Sequence, residues 1–192
     1  GVQTCALPIC RRLVTDEALK ESVDRLVVAG GTLWALTANG LYRQDPGGWH
    51  RVSELRVQDL VEHRGQLVAA AQRKLWRIQG DQLQPWSEAA ARFDLLRVIP
   101  HQDSLYLLGP GRMTVFASGR FGGLDAYEFP ADEAWDWGAL PSRSTRDALS
   151  LGNRLVVATD RGLGVLRGMS MTPVRGEHGL PFEDVTCLAK GF

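Results

Sequence analysis

The chain alternates short apolar runs with turns rich in Gly, Asn, Asp and Pro, and this pattern predicts β-strands. Several of these runs start at a leucine that follows a polar turn, and each is succeeded by another turn and another apolar run. Their first residues are Leu33, Leu67, Leu105 and Leu155. Short strands joined by tight turns are typical of β-hairpins. Helical periodicity is weak along the whole chain, so an all-β fold is expected.

An aspartate opens a similar alternating run at five places, which are Asp24, Asp59, Asp94, Asp147 and Asp184. The successive steps are 35, 35, 53 and 37 residues, so one step carries an insertion relative to the others. A repeat of this length, built from four short strands, predicts β-propeller blades, because stacked sheets bury apolar faces that a single sheet leaves exposed. A β-sandwich is the main alternative, but it does not predict one register that recurs at this period.

The predicted architecture is therefore an all-β propeller fragment of about four four-stranded blades with partial blades at both ends. The approximate blade boundaries are 22–55, 56–91, 92–130 and 145–181, and residues 182–192 start the next blade. The parent protein is expected to have at least roughly five or six blades. The recurring aspartates are interpreted as caps of turn amides between blades. Gly179 is expected to supply a positive φ, and Pro181 an extended entry into the next strand.

Residues 1–10 are interpreted as a non-native, adapter-derived segment. Residues 2–9 match, without a gap, the in-frame translation of a common sequencing adapter, and no initiator Met or basic region precedes the apolar stretch. The alternative is a natural apolar N-terminus. Such scars are excluded from fold reasoning. Cys5 and Cys10 are then uninformative, which leaves Cys187 without a disulfide framework or metal-site spacing.

Charge and hydropathy argue against two classes of partner. The 22 basic and 22 acidic residues are interspersed and give a formal net charge of +0, without the basic stripe typical of nucleic-acid binders. No run approaches the roughly 18 consecutive apolar residues of a transmembrane helix. We therefore expect no nucleic-acid partner and no membrane span in this fragment.

Residues 179–188, Gly-Leu-Pro-Phe-Glu-Asp-Val-Thr-Cys-Leu, resemble the inter-blade motif of the two-component regulator propeller repeat family. Residues 31–43 and 155–163 are similar to the second and third strands of that repeat, whereas the second and third units lack Gly-Leu-Pro and depart from it. The resemblance implies a sensory or ligand-binding propeller, periplasmic or extracellular, often placed ahead of a signalling module. Similar repeats also accompany hydrolases and uncharacterised secreted proteins.

The sequence contains no recognisable catalytic or metal-binding motif. Its histidines form neither His-x-His nor His-Glu-x-x-His, so zinc coordination has no local support. His63 and His101 lie near equivalent first-turn positions and are interpreted as solvated loop residues. Phosphate-loop, nucleophile-elbow and calcium-loop signatures are also missing. We therefore predict no cofactor, no metal and no catalytic residue.

The insertion, at about residues 124–146, is the best candidate for a binding site in the sequence. Loops that project from a rigid propeller commonly carry function. Aromatic rings beside carboxylates suit sugar faces, hydroxyls or cationic groups. The alternative is that these aromatic residues pack a longer fourth strand onto the neighbouring blade. The candidate ligand-binding residues are Tyr127, Asp132, Glu133, Trp135, Asp136 and Trp137.

Together these observations predict a non-catalytic propeller that senses a ligand or binds a protein, as part of a larger signalling or secreted protein. Its partner would be a small molecule, a glycan or a protein. The alternative is a carbohydrate-active hydrolase or lyase, in which the propeller is either an accessory domain or the catalytic one.

Overall fold

A computed structural model of the chain describes residues 19, 21–86, 91, 93–116, 140–168 and 170–190. Residues 1–10, which the sequence predicts to be non-native, and residues 117–139, which include most of the insertion, lie outside the described residues. The described part contains fifteen β-strands and a short 3-10 helix at Gly176–His178. None of its helices has the length and apolar character needed to cross a bilayer.

The strands form four antiparallel sheets in chain order. The first sheet consists of β1 (Val23–Ala29), β2 (Thr32–Thr37), β3 (Gly40–Asp45) and β4 (Gly48–Ser53). The second consists of β5 (Asp59–His63), β6 (Gln66–Ala71), β7 (Lys74–Gln79) and β8 (Gln82–Pro85). The third contains β9 (Arg97–His101), β10 (Ser104–Gly109) and β11 (Arg112–Phe116) within the described residues. The fourth consists of β12 (Thr145–Leu151), β13 (Arg154–Thr159), β14 (Gly162–Arg167) and β15 (Ser170–Val174).

Tight turns of two residues join the first two strands of every sheet. The first residue of each turn has a positive φ, with 59° at Gly30, 52° at Arg64, 51° at Gln102 and 58° at Gly152. Left-handed turns of this kind match the right-handed twist of the flanking strands. The predicted hairpins are therefore present.

The apolar clusters lie between neighbouring sheets. Trp34 and Leu36 of the first sheet share a buried cluster with Leu60 and Ala69 of the second. The second and third sheets share another cluster, and the third and fourth share one that contains Met113 and Leu155, among others. The first strands of consecutive sheets also contact one another, β1 with β5, β5 with β9 and β9 with β12. This is the arrangement of propeller blades, and the predicted all-β propeller fragment is confirmed.

The segment after the fourth sheet, which was predicted to start a further blade, runs beside that sheet. The backbone N–H of Val185 donates to the carbonyl of Thr159 over 3.0 Å. Residues 182–190 are not part of a strand. They nevertheless continue the row formed by the first strands of the four sheets, because the backbone N–H of Leu188 donates to Asp147 of β12.

Candidate functional site

Strand pairing identifies one equivalent position in the first strand of every sheet. At this position the residue lies opposite the penultimate residue of the second strand. The four residues are Arg25, Asp59, Arg97 and Asp147, so the sign of the charge alternates from sheet to sheet. We call this set the axial ladder.

Asp59 is the best-connected member of the axial ladder and is only 2% exposed. Arg25 Nη1 donates to its Oδ1 over 3.1 Å, and Arg97 Nε donates to its Oδ2 over 2.9 Å. The backbone N–H groups of Leu60 and Val98 also donate to this carboxylate, over 3.1 and 2.8 Å. A buried carboxylate is tolerated when its oxygens are paired and hydrogen-bonded in this way.

Asp147 continues the ladder into the fourth sheet and beyond. Its Oδ1 accepts from Arg97 Nη1 and, over 2.9 Å, from the backbone N–H of Ala148. Its Oδ2 accepts from the backbone N–H of Leu188 over 3.0 Å. Arg97 therefore bridges two carboxylates on either side of its own sheet. Every contact between ladder residues joins two different sheets, so the ladder fastens neighbouring sheets together.

Only Asp59 and Asp147 of the five recurring aspartates belong to the axial ladder. Asp24 is exposed and lies one residue before the ladder position of its sheet. Asp94 is exposed three residues before β9, and Asp184 is exposed in the segment after the fourth sheet. The five aspartates thus occupy different structural positions, and the two buried ones accept hydrogen bonds from backbone amides of the adjacent sheet or segment.

The turns between the second and third strands lie at the same end of the sheets as the ladder, which we call the upper end. In the first and fourth sheets this turn has the sequence Thr-x-x-Gly. Thr37 Oγ1 donates to the carbonyl of Gly40 over 3.1 Å, and Thr159 Oγ1 donates to that of Gly162 over 2.8 Å. A Cβ on either glycine would lie 2.3 Å from a carbonyl oxygen of the fourth strand, so the close approach requires glycine.

The upper-end turn of the first sheet holds a carboxylate. Asn39 Nδ2 and Tyr42 Oη each donate to a carboxylate oxygen of Glu21 over 2.6 Å. The Tyr42 hydrogen bond lowers the pKa of Glu21, and the same bond raises the pKa of Tyr42. Arg51 Nη2 donates to the Asn39 carbonyl over 2.6 Å, which brings a positive charge close to this carboxylate.

The corresponding turn of the fourth sheet borders an open cavity of about 500 Å³. The cavity is lined by Arg161, Arg175, Glu177 and Glu183. Arg161 occupies the turn position that Asn39 has in the first sheet, because each residue directly precedes the glycine of its Thr-x-x-Gly turn. All four lining residues are exposed.

Backbone hydrogen bonds fix the walls of this cavity. The N–H of Gly162 donates to the carbonyl of Glu183 over 2.6 Å, and the N–H of Gly176 donates to Glu183 Oε1 over 3.1 Å. His178 Nδ1 accepts from the Arg175 N–H over 3.2 Å. Gly179 ends the 3-10 helix with a φ of 86°, as expected for a residue predicted to need a positive φ. Three separate segments are therefore held at fixed positions around one opening.

Pro181 and the neighbouring Phe182 are exposed a few residues after this helix. Phe182 is 76% exposed, although it is large and apolar. The Gly-Leu-Pro motif thus lies at the rim of the cavity, between the 3-10 helix and the Glu183 contacts.

The interpretation of His63 and His101 as solvated loop residues is wrong. Each is the last residue of the first strand of its sheet, and their exposed fractions are 8% and 4%. The adjacent sheet covers His101, whose Nδ1 lies 2.8 Å from Ser150 Oγ of β12 in a hydrogen bond, and Tyr106 of its own sheet packs edge-on against the ring. Burial lowers the pKa of both histidines, and Arg64 lowers that of His63 further.

The sequence-predicted binding residues of the insertion, from Tyr127 to Trp137, lie outside the described residues. Within the described ranges there is no group of three or more His, Cys, Asp or Glu side chains that could hold a metal ion. The groups that the structure brings together are instead the axial ladder and the cavity residues, neither of which the sequence identified as a set.

Comparison with solved structures places the fold among β-propellers. The chain is similar to the extracellular domain of a putative hybrid two component system, BT4673 from B. thetaiotaomicron, with a TM-score of 0.65 and 15% identity over 80% of this chain and 21% of that one. It is also similar to the Neurospora crassa Pan2 WD40 domain, with a TM-score of 0.53 and 13% identity over 81% of this chain and 49% of that one. Kluyveromyces lactis Hsv2p gives a TM-score of 0.52 and 18% identity over 78% and 50% of the two chains.

These similarities define the fold and the extent of the chain. No protein-family model and no curated protein matches the sequence. The chain spans about a fifth of the length of the extracellular domain to which it is similar. At this level of identity the likeness concerns architecture, and the comparison confirms the β-propeller that the family resemblance implied.

Proposed function

We propose that the chain belongs to a non-catalytic ligand-sensing or protein-interaction β-propeller that is part of a larger signalling or secreted protein. The observation that carries this proposal is the cavity at the upper end of the fourth sheet. It lies among loops fastened to a rigid scaffold, which is where propellers and other sheet proteins commonly bind ligands. Its volume of about 500 Å³ suits a small molecule or the end of a larger one.

The contacts of the two buried aspartates argue against their use in proton transfer. A general acid or base must reach the reacting group of a substrate, and its protonation state must be able to change. The carboxylates of Asp59 and Asp147 are instead engaged by arginines and backbone amides in contacts between sheets. These contacts support a role in assembly of the propeller.

An extracytoplasmic location is part of the proposal. The extracellular domain of a putative two component system has this fold, and the family resemblance of residues 179–188 implies the same setting. We further propose that Tyr127, Asp132, Glu133, Trp135, Asp136 and Trp137 of the insertion contribute to ligand binding. Their aromatic and acidic character supports contacts to sugar faces and hydroxyls.

The test is isothermal titration of the full chain with a panel of neutral and acidic oligosaccharides and short peptides, with product analysis of every mixture. We expect at least one member to bind without being converted. If none binds, the sensing proposal fails. Conversion of a bound saccharide would instead favour the carbohydrate-active hydrolase or lyase.

Variants of the insertion test its contribution to binding. Trp135→Ala and Trp137→Ala are expected to weaken binding of the ligand found in the panel, because each removes an aromatic surface. Val28→Ala is the matched control, since Val28 is 75% exposed on the first sheet and lies outside the insertion. Wild-type affinity in both tryptophan variants would remove the insertion from the site and leave the cavity as the candidate.

A further inference from the structure

The guanidinium groups of Arg161 and Arg175 are unusual among the charged groups at the upper end. Within the described part of the chain, neither side chain donates a hydrogen bond or forms an ion pair. Their positions are nevertheless set by the backbone, because the N–H of Arg161 donates to Thr159 Oγ1 over 3.2 Å and that of Arg175 to His178 Nδ1 over 3.2 Å. Two cations with fixed backbones and unused donors therefore line one opening.

The acidic residues of the same cavity are partly engaged elsewhere. Glu183 Oε1 accepts from the N–H of Gly176 over 3.1 Å, so part of this carboxylate serves the loop itself. The Glu177 side chain is 73% exposed, so water solvates its carboxylate. The acids thus do not neutralise the two arginines by direct contact.

The first sheet shows what the equivalent turn accommodates. There the Thr-x-x-Gly turn receives the Glu21 carboxylate through Asn39 and Tyr42, with Arg51 close by. In the fourth sheet the position of Asn39 is taken by Arg161, a stronger donor to a carboxylate because its planar guanidinium offers two parallel N–H groups. The threonine of each turn makes the same two hydrogen bonds, but the described part of the fourth sheet places no carboxylate on the guanidinium.

We infer that the cavity of the fourth sheet binds a small ligand through a carboxylate, which Arg161 and Arg175 receive as the Glu21 carboxylate is received in the first sheet. This inference rests on the proposed function and specifies its ligand class. The carboxylate belongs either to a sugar acid or to the C-terminus of an amino acid or short peptide. A zwitterionic ligand would in addition place its ammonium group near Glu177.

The experiment measures binding of four probes to the full chain by calorimetry: glucuronate, glucose, alanyl-alanine and alanyl-alanine amide. We expect at least one of the two carboxylates to bind more tightly than its uncharged counterpart. Arg161→Gln and Arg175→Gln should each lower the affinity for that carboxylate probe about tenfold or more, which is the usual effect of losing a charge-assisted hydrogen bond. Arg154→Gln is the matched control, because it removes the same charge from an exposed arginine at the opposite end of the fourth sheet.

Glu177→Gln separates the two sources of the carboxylate. Removal of this negative charge should tighten the binding of glucuronate, which carries only a negative charge. It should weaken the binding of alanyl-alanine, because Glu177 would contact the ammonium group of that dipeptide. Equal affinity for acids and their neutral counterparts, no binding of either acid, or unchanged affinity in both arginine variants would overturn the inference. Binding of a neutral ligand in the wider panel would still support the sensing proposal in each of these cases.

Discussion

Replacement of Asp59 by Asn tests whether the axial ladder stabilises the propeller. The substitution keeps the size of the side chain but removes the charge that pairs with Arg25 and Arg97. It also turns one acceptor oxygen into an N–H₂ group, which faces donors such as the N–H of Val98. Removing one partner of a buried ion pair usually costs about 3–5 kcal/mol. Because Arg25 and Arg97 are 34% and 23% exposed, water partly solvates them, and we expect a loss near about 3 kcal/mol.

Urea unfolding followed by tryptophan fluorescence provides the measurement, since the chain contains six tryptophans. With a urea m-value of about 2 kcal/mol/M, the expected loss moves the midpoint down by roughly 1.5 M. Asp81→Asn is the matched control. Asp81 accepts from Arg43 over 2.6 Å but is 54% exposed, so its removal should change stability by less than about 1 kcal/mol.

A double-mutant cycle with Arg97→Met isolates the pair from the other contacts of each residue. Because Asp59 and Arg97 are in direct contact, the two losses should not add, and a coupling of about 1–3 kcal/mol is expected. Additive losses, or an Asp59→Asn protein as stable as the wild type, would refute the reasoning that the ladder joins the sheets energetically.

Three further outcomes follow from the described contacts. Gly162→Ala should destabilise the chain by about 2 kcal/mol or more in thermal unfolding, because the new Cβ would lie 2.3 Å from a carbonyl oxygen at a φ of 113°. Gly152→Ala has open space around its Cβ and should cost only about 1 kcal/mol, so equal losses in the two variants would contradict the steric explanation. The free energy of unfolding should fall as the pH drops below 6.5, because burial lowers the pKa of His101 and the unfolded chain then binds more protons than the folded chain. His101→Asn should reduce the slope of this pH dependence, and an unchanged slope would argue against the contribution of His101. Glu21→Gln should let one of the three tyrosines ionise at lower pH in an absorbance titration, because the Glu21 hydrogen bond raises the pKa of Tyr42. Tyr42→Phe identifies that transition, and an unaltered titration in Glu21→Gln would exclude the hydrogen bond between Tyr42 and Glu21.

The strands were predictable because their signals are local. Strands are signalled by the alternation of apolar and polar residues, and turns by residues such as those at 30–31 and 152–153. Both signals lie within a few positions of each other in the sequence, so they specify hairpins directly. The stacking of sheets followed from the repeat, since a four-stranded sheet needs neighbours to cover its apolar faces. Local alternation and the repeat together were sufficient to predict the architecture.

The axial ladder was missed because its contacts are distant in the sequence. Arg25 and Asp59 are separated by 34 residues and Arg97 and Asp147 by 50. Alignment of the repeats on their aspartates mixed ladder residues with exposed ones. Alignment on the first turn of each sheet would have placed the four charged residues together, because each is followed by an apolar residue and lies five positions before the first residue of the turn.

The burial of His101 and the grouping of the cavity residues could not be predicted without the tertiary structure, for a different reason. His101 ends a strand next to a polar turn, which resembles a solvated position until the fourth sheet supplies Ser150 to cover it. Arg161 and Arg175 are charged residues in or beside turns, and such residues are usually solvated. Pairing of β14 with β15 brings their segments together, and hydrogen bonds through Glu183 add the segment after the fourth sheet to the same opening.

The alternating signs of the axial ladder restrict how such a repeat can be shortened or lengthened. Loss of the second sheet alone would bring Arg25 against Arg97, two cations with no carboxylate between them. Loss of the second and third sheets together would bring Arg25 against Asp147 and restore an attractive pair. Gain or loss of sheets in twos therefore preserves the electrostatic match, whereas a change by one must be accompanied by a substitution at the ladder position.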